Sequence, residues 1–214
     1  MLAVATAAPA WAESWAERCA REWAHGAPRS CETAIEENPQ DLQSHRNLAR
    51  ALLAAGDDRR ALEAYRDISV LTPDDPMAHY NYGSSAGTLR RYHIAVEALR
   101  QAIRLKPDFV EAHLVLAIAL EKPGRFDEAR HAKLMAAELG DVTAMYELAE
   151  YYASGPVGPG RERKALMWME RAANGAQIGA MDRMADIYFD GQLGQARDPR
   201  KAEEWFRTAS NARK

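Results

Sequence analysis

Residues 42–75 read LQSHRNLARALLAAGDDRRALEAYRDISVLTPDD, and the pattern of this 34-residue stretch recurs along most of the chain. Within each period, apolar residues fall at i, i+3, i+4 and i+7, which is typical of helices with one buried face. The period is marked by alanines at spacings of 34, 34, 34, 36 and 37 residues: Ala27, Ala61, Ala95, Ala129, Ala165 and Ala202. A period of this length predicts helical hairpins that bury their apolar faces against neighbouring hairpins.

The first units are closed by prolines that themselves lie one such period apart, namely Pro39, Pro73 and Pro107. Residues 42–75 combine small, large apolar and turn residues in a fixed order: Leu48, Ala49, Leu52, Gly56, Ala61, Tyr65 and Pro73. This order resembles the tetratricopeptide repeat. Residues 76–109 and 110–143 follow the same order, although Asp141 stands in place of the last closing proline. The resemblance covers about residues 8–141.

The last third of the chain contains two copies of a longer unit. AMYELAEYYASGPVGPGRERKALMWMERAANGA, residues 144–176, is echoed by AMDRMADIYFDGQLGQARDPRKAEEWFRTASNA, residues 180–212. These copies resemble Sel1-like repeats, with the extra residues in a glycine-bearing loop between helices. In the second copy, Asp198 and Pro199 are expected to start the outer helix as N-cap and first-turn proline. This resemblance covers about residues 142–211.

Together the repeats predict an all-α protein, a right-handed α-α superhelix of about six helical hairpins. We expect residues 13–141 to form tetratricopeptide repeats, the first of them degenerate, and residues 142–214 to form two Sel1-like repeats. No linker composition separates the two parts near Gly140. We therefore expect one continuous solenoid.

Composition excludes some classes of function. A formal charge of −3 and a pI near 6.1 give no electrostatic basis for nucleic-acid binding. The longest strongly apolar stretch within the repeats, residues 114–120, is too short to span a bilayer. We expect neither a nucleic-acid partner nor a membrane span.

Residues 1–12 are apolar and uncharged, and they end in Ala10-Trp11-Ala12 before Glu13. This A-x-A form is typical of a signal-peptidase site, so the segment is interpreted as a truncated signal peptide and the location as periplasmic or secreted. The alternative is a cytoplasmic protein in which an i+4 stripe of Trp11, Trp15, Cys19 and Trp23 forms one face of the first helix.

Cys19 and Cys31 are the two cysteines of the chain, and both lie in the first hairpin. Their midpoint falls in the turn around Gly26, so two antiparallel helices would bring them to similar heights. A disulfide is predicted, which suits an oxidising compartment. The alternative is two buried free thiols in a cytosolic protein.

Three histidines, His45, His79 and His113, are spaced by the same period and occupy one position in successive inner helices. Helices pack about 8 to 10 Å apart, whereas zinc requires nitrogens about 2.0 to 2.1 Å from one ion. A packing role is therefore expected, with no metal and no cofactor. We find no sequence motif for a catalytic nucleophile, metalloprotease or phosphate-binding loop, so no catalytic residues are predicted.

The resemblance to tetratricopeptide repeats implies that inner helices form a concave face that binds a protein or peptide. The positions that would face a ligand are Arg46, Asn47, Arg50, Tyr80, Asn81, Ser84, Leu114 and Ile118. Asn47 and Asn81 stand where the family often places an asparagine that contacts the ligand backbone. Solvated surface is the alternative for these two.

The dicarboxylate clamp of chaperone adaptors is matched at two of its five positions, Arg46 and Asn81. Arg50, Glu111 and Val115 depart from it, so an acidic chaperone tail is not the expected ligand. The predicted function is a non-enzymatic binding scaffold, with two alternatives. One is a Sel1-like hydrolase of β-lactams, although the Sel1-like units here contain no cysteine. The other is an assembly factor that self-associates through its terminal repeat.

Overall fold

The computed structural model describes residues 13–155 and 159–213, and within these ranges the chain is helical without a β-strand. A 3-10 turn, Trp23–His25, follows the first helix. Twelve α-helices are found in the described part: α1 (Trp15–Glu22), α2 (Arg29–Glu37), α3 (Leu42–Ala54), α4 (Asp58–Leu71), α5 (Pro76–Thr88), α6 (Tyr92–Leu105), α7 (Val110–Glu121), α8 (Phe126–Glu138), α9 (Val142–Ala153), α10 (Pro159–Asn174), α11 (Ile178–Asp190) and α12 (Pro199–Ala212).

Each odd-numbered helix packs against the helix that follows it, so the chain is a series of helical hairpins. This confirms the all-α class and the repeat organisation predicted from the sequence. The chain divides into two compact units, Met1–Pro107 and Asp108–Lys214. The first unit contains α1 to α6 and the second contains α7 to α12.

Aspartates start several of these helices. Asp57 precedes α4 and its side chain accepts a hydrogen bond from the Arg60 amide, while Asp75 precedes α5 and accepts one from the Met77 amide. Such caps satisfy backbone donors that a helix N-terminus leaves unpaired. Asp198 caps α12 and Pro199 is its first residue, as the sequence predicts.

The periodic alanines mark the crossing points of the hairpins. We call the first helix of each hairpin the inner helix and the second the outer helix. The fourth residue of four outer helices is a fully buried alanine: Ala61, Ala95, Ala129 and Ala202. Small side chains at these points let the inner and outer helices approach closely. Ala27 breaks the pattern.

Ala27 lies in the turn before α2 and is only half-buried. The reason is that the first hairpin is shorter than the others, with helices of 8 and 9 residues. Its buried outer-helix position is taken by Cys31 instead. The first repeat is thus degenerate in its helix crossing as well as in its sequence.

Each unit has its own apolar core. In the first unit one cluster contains Ala49, Leu52, Ala61 and Ile68. The core of the second unit includes Leu148, Trp168, Met169, Met184 and Ile187. Among the described helices, none is both long and apolar enough to cross a membrane.

Candidate peptide-binding groove

Two helical stripes face each other across the first unit. On α3, the residues at i, i+3, i+7 and i+10 form one stripe: Gln43, Arg46, Arg50 and Leu53. On α5, small polar residues at i, i+3, i+4 and i+7 form the second stripe: Asn81, Ser84, Ser85 and Thr88. Met77 continues this stripe toward the start of α5. The two stripes are the walls of a groove that we call the α3/α5 groove.

The α3/α5 groove consists of two adjoining cavities of about 290 and 180 Å³. Tyr65 of α4 and Asn81 of α5 line both cavities, so they lie at the middle of the groove. The stripe from Gln43 to Leu53 is about 15 Å long at the rise of an α-helix. This length suits about four to five residues of an extended chain.

Polar side chains in the groove are available for hydrogen bonding. In the part of the chain that the structure describes, the Asn81 amide and the hydroxyls of Ser84 and Ser85 make no hydrogen bond to another protein group. Burial raises the pKa of Tyr65, an effect opposed by the positive charge of Arg50. The phenol therefore remains protonated at neutral pH and can donate a hydrogen bond. This set of groups fits the alternating donors and acceptors of a peptide backbone.

Charge in the groove is balanced. The Nη2 atom of Arg46 lies 3.9 Å from Oδ2 of Asp75, a loose and solvent-exposed ion pair. The guanidinium of Arg50 lies over the ring of Trp23. Asp58 lines the opposite end of the groove. Two arginines and two aspartates give no strong preference for an acidic ligand, in keeping with the poor match to the dicarboxylate clamp.

Asn47 is placed differently from the expectation that it faces a ligand. It is only 2% exposed, and its Oδ1 atom accepts a hydrogen bond from Nε2 of Gln43 at 3.0 Å. Gln43 is one of the groove residues, so it occupies the surface that Asn47 was expected to occupy. Asn47 therefore supports the wall of the groove from behind.

The remaining expected residues divide between the two units. Tyr80 is half-buried on α5. Leu114 and Ile118 lie on α7, in the second unit. Leu114 packs partly against the core of that unit, whereas Ile118 is 54% exposed. Leu114 thus has a packing role within its own unit.

Cys19 and Cys31 form a disulfide in the structure, with Cα atoms 4.5 Å apart. Both cysteines are fully buried, and Trp15, Trp23 and Leu48 pack around them. The disulfide links α1 to α2. Through Trp23 and Leu48 it also joins this hairpin to α3, a wall of the groove.

Two of the periodic histidines, His45 and His79, are hydrogen-bonded to backbone carbonyls. Nε2 of His45 lies 3.0 Å from the carbonyl oxygen of Pro39, and Nε2 of His79 lies 2.8 Å from that of Pro73. A carbonyl oxygen can only accept, so each Nε2 carries the proton and donates. Each histidine thereby ties an inner helix to the proline that closes the preceding unit. Over the described ranges, no group of three or more His, Cys, Asp or Glu side chains could hold a metal ion.

The groove is also lined by residues that the sequence did not predict to face a ligand, notably Tyr65, Ser85 and Thr88. Ser85 and Thr88 could have been found, because they complete the i, i+3, i+4, i+7 stripe that begins at Asn81. Tyr65 follows Ala61 by four residues on an outer helix, a position associated with packing. Its sequence position gives no sign that its ring reaches the groove.

Family profiles match nearly the whole repeat region. The tetratricopeptide repeat profile matches residues 24–76, 46–87 and 80–142, and the Sel1 repeat profile matches residues 142–176 and 178–213. The chain belongs to the tetratricopeptide repeat family, and its C-terminal part consists of Sel1 repeats. Both resemblances drawn from the sequence are confirmed.

Among curated proteins, the tetratricopeptide repeat and J domain-containing co-chaperone DNJ1 of Cryptococcus neoformans var. grubii is 28% identical over 123 residues. That match covers 58% of this chain and 23% of the relative, so this chain corresponds to a minor part of it.

Two solved structures show the same fold at low sequence identity. MamA has a TM-score of 0.63 at 20% identity, covering 78% of this chain and 92% of the other. YrrB, a tetratricopeptide repeat protein with an unusual peptide-binding site, has a TM-score of 0.57 at 22% identity, covering 87% of this chain and 93% of the other. These similarities concern the fold alone.

Proposed function

We propose that this chain is a non-enzymatic scaffold that binds an extended peptide segment of a partner protein in the α3/α5 groove. The observation that carries the proposal is the set of hydrogen-bonding side chains of α4 and α5 that line this groove, Tyr65, Asn81, Ser84 and Ser85. Repeat proteins of this family act through protein contacts, and YrrB is described as having a peptide-binding site.

The hydrogen-bonding groups favour contacts to the peptide backbone. Asn81 can accept and donate at once, so it can pair with both the N–H and the C=O of one ligand residue. Met77 and the exposed Leu53 stand at opposite ends of the groove, where ligand side chains would meet apolar surface. Specificity would then come from two apolar contacts at the ends and affinity from the polar middle.

We also propose that the protein is located in an oxidising compartment outside the cytosol, such as the bacterial periplasm. The buried Cys19–Cys31 disulfide supports this location, because such bonds form and persist under oxidising conditions. The candidate signal sequence of residues 1–12 lies outside the described residues. Protein purified from its native host should begin at Glu13. Intact Met1 together with two reactive thiols would contradict the location.

Hydrogen–deuterium exchange tests the binding site. A peptide is first selected from a random library displayed on phage against the full chain, and is then synthesised. Backbone amides of α3 and α5 should exchange more slowly in its presence, because a bound chain reduces the opening of both walls. Slower exchange confined to outer helices α4 and α6 would place the peptide elsewhere and contradict the proposal.

A further inference from the structure

A second groove occupies the equivalent position in the second unit, with different chemistry. Counted from the helix starts, Lys133 is the eighth residue of α8, as Tyr65 is of α4. Glu147 is the sixth residue of α9, as Asn81 is of α5. An ammonium and a carboxylate thus replace the phenol and the amide. We call this cavity, about 240 Å³ in volume, the α8/α9 groove.

Apolar surface is exposed at the mouth of the α8/α9 groove. Phe126, the first residue of α8, is 66% exposed, and Tyr151 of α9 is 40% exposed. Tyr151 is held in place by Arg130, whose Nη1 donates to its hydroxyl at 2.8 Å. Leu148 of α9 also lines the cavity. The rings of Phe126 and Tyr151 thus leave apolar surface open beside the cavity.

Two carboxylates converge on a single ammonium in this groove, so this cluster of three side chains carries one net negative charge. The Nζ atom of Lys133 lies 2.8 Å from Oε1 of Glu121 and 2.6 Å from Oε2 of Glu147, so one ammonium serves two carboxylates. Arg130 also lines the groove, where its guanidinium pairs with Asp127 and lies over the ring of Tyr151. Within the described part of the chain, the second oxygen of each glutamate makes no hydrogen bond. Both glutamates remain accessible to solvent.

We infer that the α8/α9 groove binds a lysine or arginine side chain of a partner polypeptide. Such a side chain has an apolar stem and a cationic end. Its stem would lie against Phe126, and its end would donate to the free oxygens of Glu121 and Glu147. These bonds join opposite charges and are stronger than neutral ones. The site is separate from the α3/α5 groove, where no pair of carboxylates converges on one cation.

Short synthetic peptides provide the probe. They are acetylated and amidated, have a serine background, and carry Leu-Lys, Leu-Arg or Leu-Glu at the centre. Affinity for the full chain is measured by fluorescence anisotropy. The Leu-Lys and Leu-Arg peptides should bind about 3- to 10-fold more tightly than the Leu-Glu peptide, a modest factor because the glutamates are partly solvated. Equal affinities, or no binding of any of these peptides, would overturn the inference.

Variants locate the site. Glu121→Gln combined with Glu147→Gln should remove the preference for a basic residue, while Glu204→Gln, on the exposed face of α12, should leave it unchanged. The double variant leaves Lys133 without its partners and can lose stability. Phe126→Ser is therefore used as well, because this exposed side chain contributes little to the core and its loss should still weaken the Leu-Lys peptide about 3-fold or more. Unchanged affinity in Phe126→Ser, or the same loss in Asn81→Ala, would contradict the assignment.

Discussion

The guanidinium of Arg50 lies over the indole ring of Trp23, 5.2 Å from its centre. Trp23 packs against the Cys19–Cys31 disulfide, and Arg50 lines the α3/α5 groove. A covalently closed hairpin therefore orients a side chain of the binding surface. The degenerate first repeat thus has a role in the groove, although the lining residues come from α3, α4, α5 and the residue before α5.

Replacing Trp23 by leucine should weaken the peptide selected for the groove about 2- to 5-fold, because an exposed cation–π contact contributes about 0.5–1 kcal/mol and its loss frees Arg50 to move. Calorimetry on the full chain measures this change. Trp15→Leu is the matched control, since Trp15 packs on the same disulfide but stacks with Arg18. Equal effects of the two substitutions would show that Trp23 does not act through Arg50.

Removal of the disulfide should destabilise the first unit. Cys19 and Cys31 are 12 residues apart, and closing a loop of this size lowers the entropy of the unfolded chain by an amount worth about 3 kcal/mol. Cys19→Ala combined with Cys31→Ala should therefore lower the free energy of unfolding, followed by urea denaturation and tryptophan fluorescence. Reduction of the wild-type protein should reproduce the loss. Identical urea midpoints for oxidised and reduced protein would refute it.

Gly83 is required by the close crossing of α5 and α6. A Cβ atom at this position would lie 2.7 Å from Cγ of Leu99 and 3.1 Å from the carbonyl oxygen of Ala95. Gly83→Ala should cost about 1–3 kcal/mol through overpacking. Gly87 lies on the same helix with room for a Cβ, so Gly87→Ala should be neutral or stabilise by up to about 1 kcal/mol. The thermal midpoints of the two variants are compared with that of the wild type. Equal midpoints for Gly83→Ala and Gly87→Ala would contradict the close crossing of α5 and α6 at Gly83.

The histidines should have a structural role that metal does not change. His45→Phe keeps an aromatic ring in the buried position but removes the donor to Pro39, which should cost about 0.5–1.5 kcal/mol. Zinc should leave the thermal midpoint of the wild type unchanged, because a ligand raises it only by binding the folded state. A zinc-dependent increase that His45→Phe abolishes would restore the metal hypothesis.

The helical hairpins and their crossing alanines could be predicted because each position recurs in several repeats. Ala61, Ala95 and Ala129 share one structural role, and their equal spacing along the chain reveals it. Ala27 keeps the spacing and loses the role, since the short first hairpin shifts the position into a turn. The spacing of the repeats along the sequence does not show how long each helix is.

The groove was harder to predict, because exposure depends on neighbours that differ between repeats. Asn47 and Asn81 hold the same position in successive repeats, yet the first is buried and the second lines the groove. The first hairpin and its 3-10 turn pack against α3, and Gln43 covers Asn47. Tyr65 shows the reverse case, a residue from an outer helix whose ring reaches the groove.

Peptide binding in the α3/α5 groove is tested most directly by measuring the affinity of the selected peptide for Asn81→Ala by calorimetry. Asn81 lies at the middle of the α3/α5 groove, and one backbone contact is worth about 0.5–1.5 kcal/mol, so affinity should fall about 2- to 12-fold with the fold intact. The control combines Arg59→Ala and Glu97→Ala, which are exposed on outer helices and should not change affinity. Wild-type affinity in Asn81→Ala, with loss only in the outer-helix variant, would contradict the account.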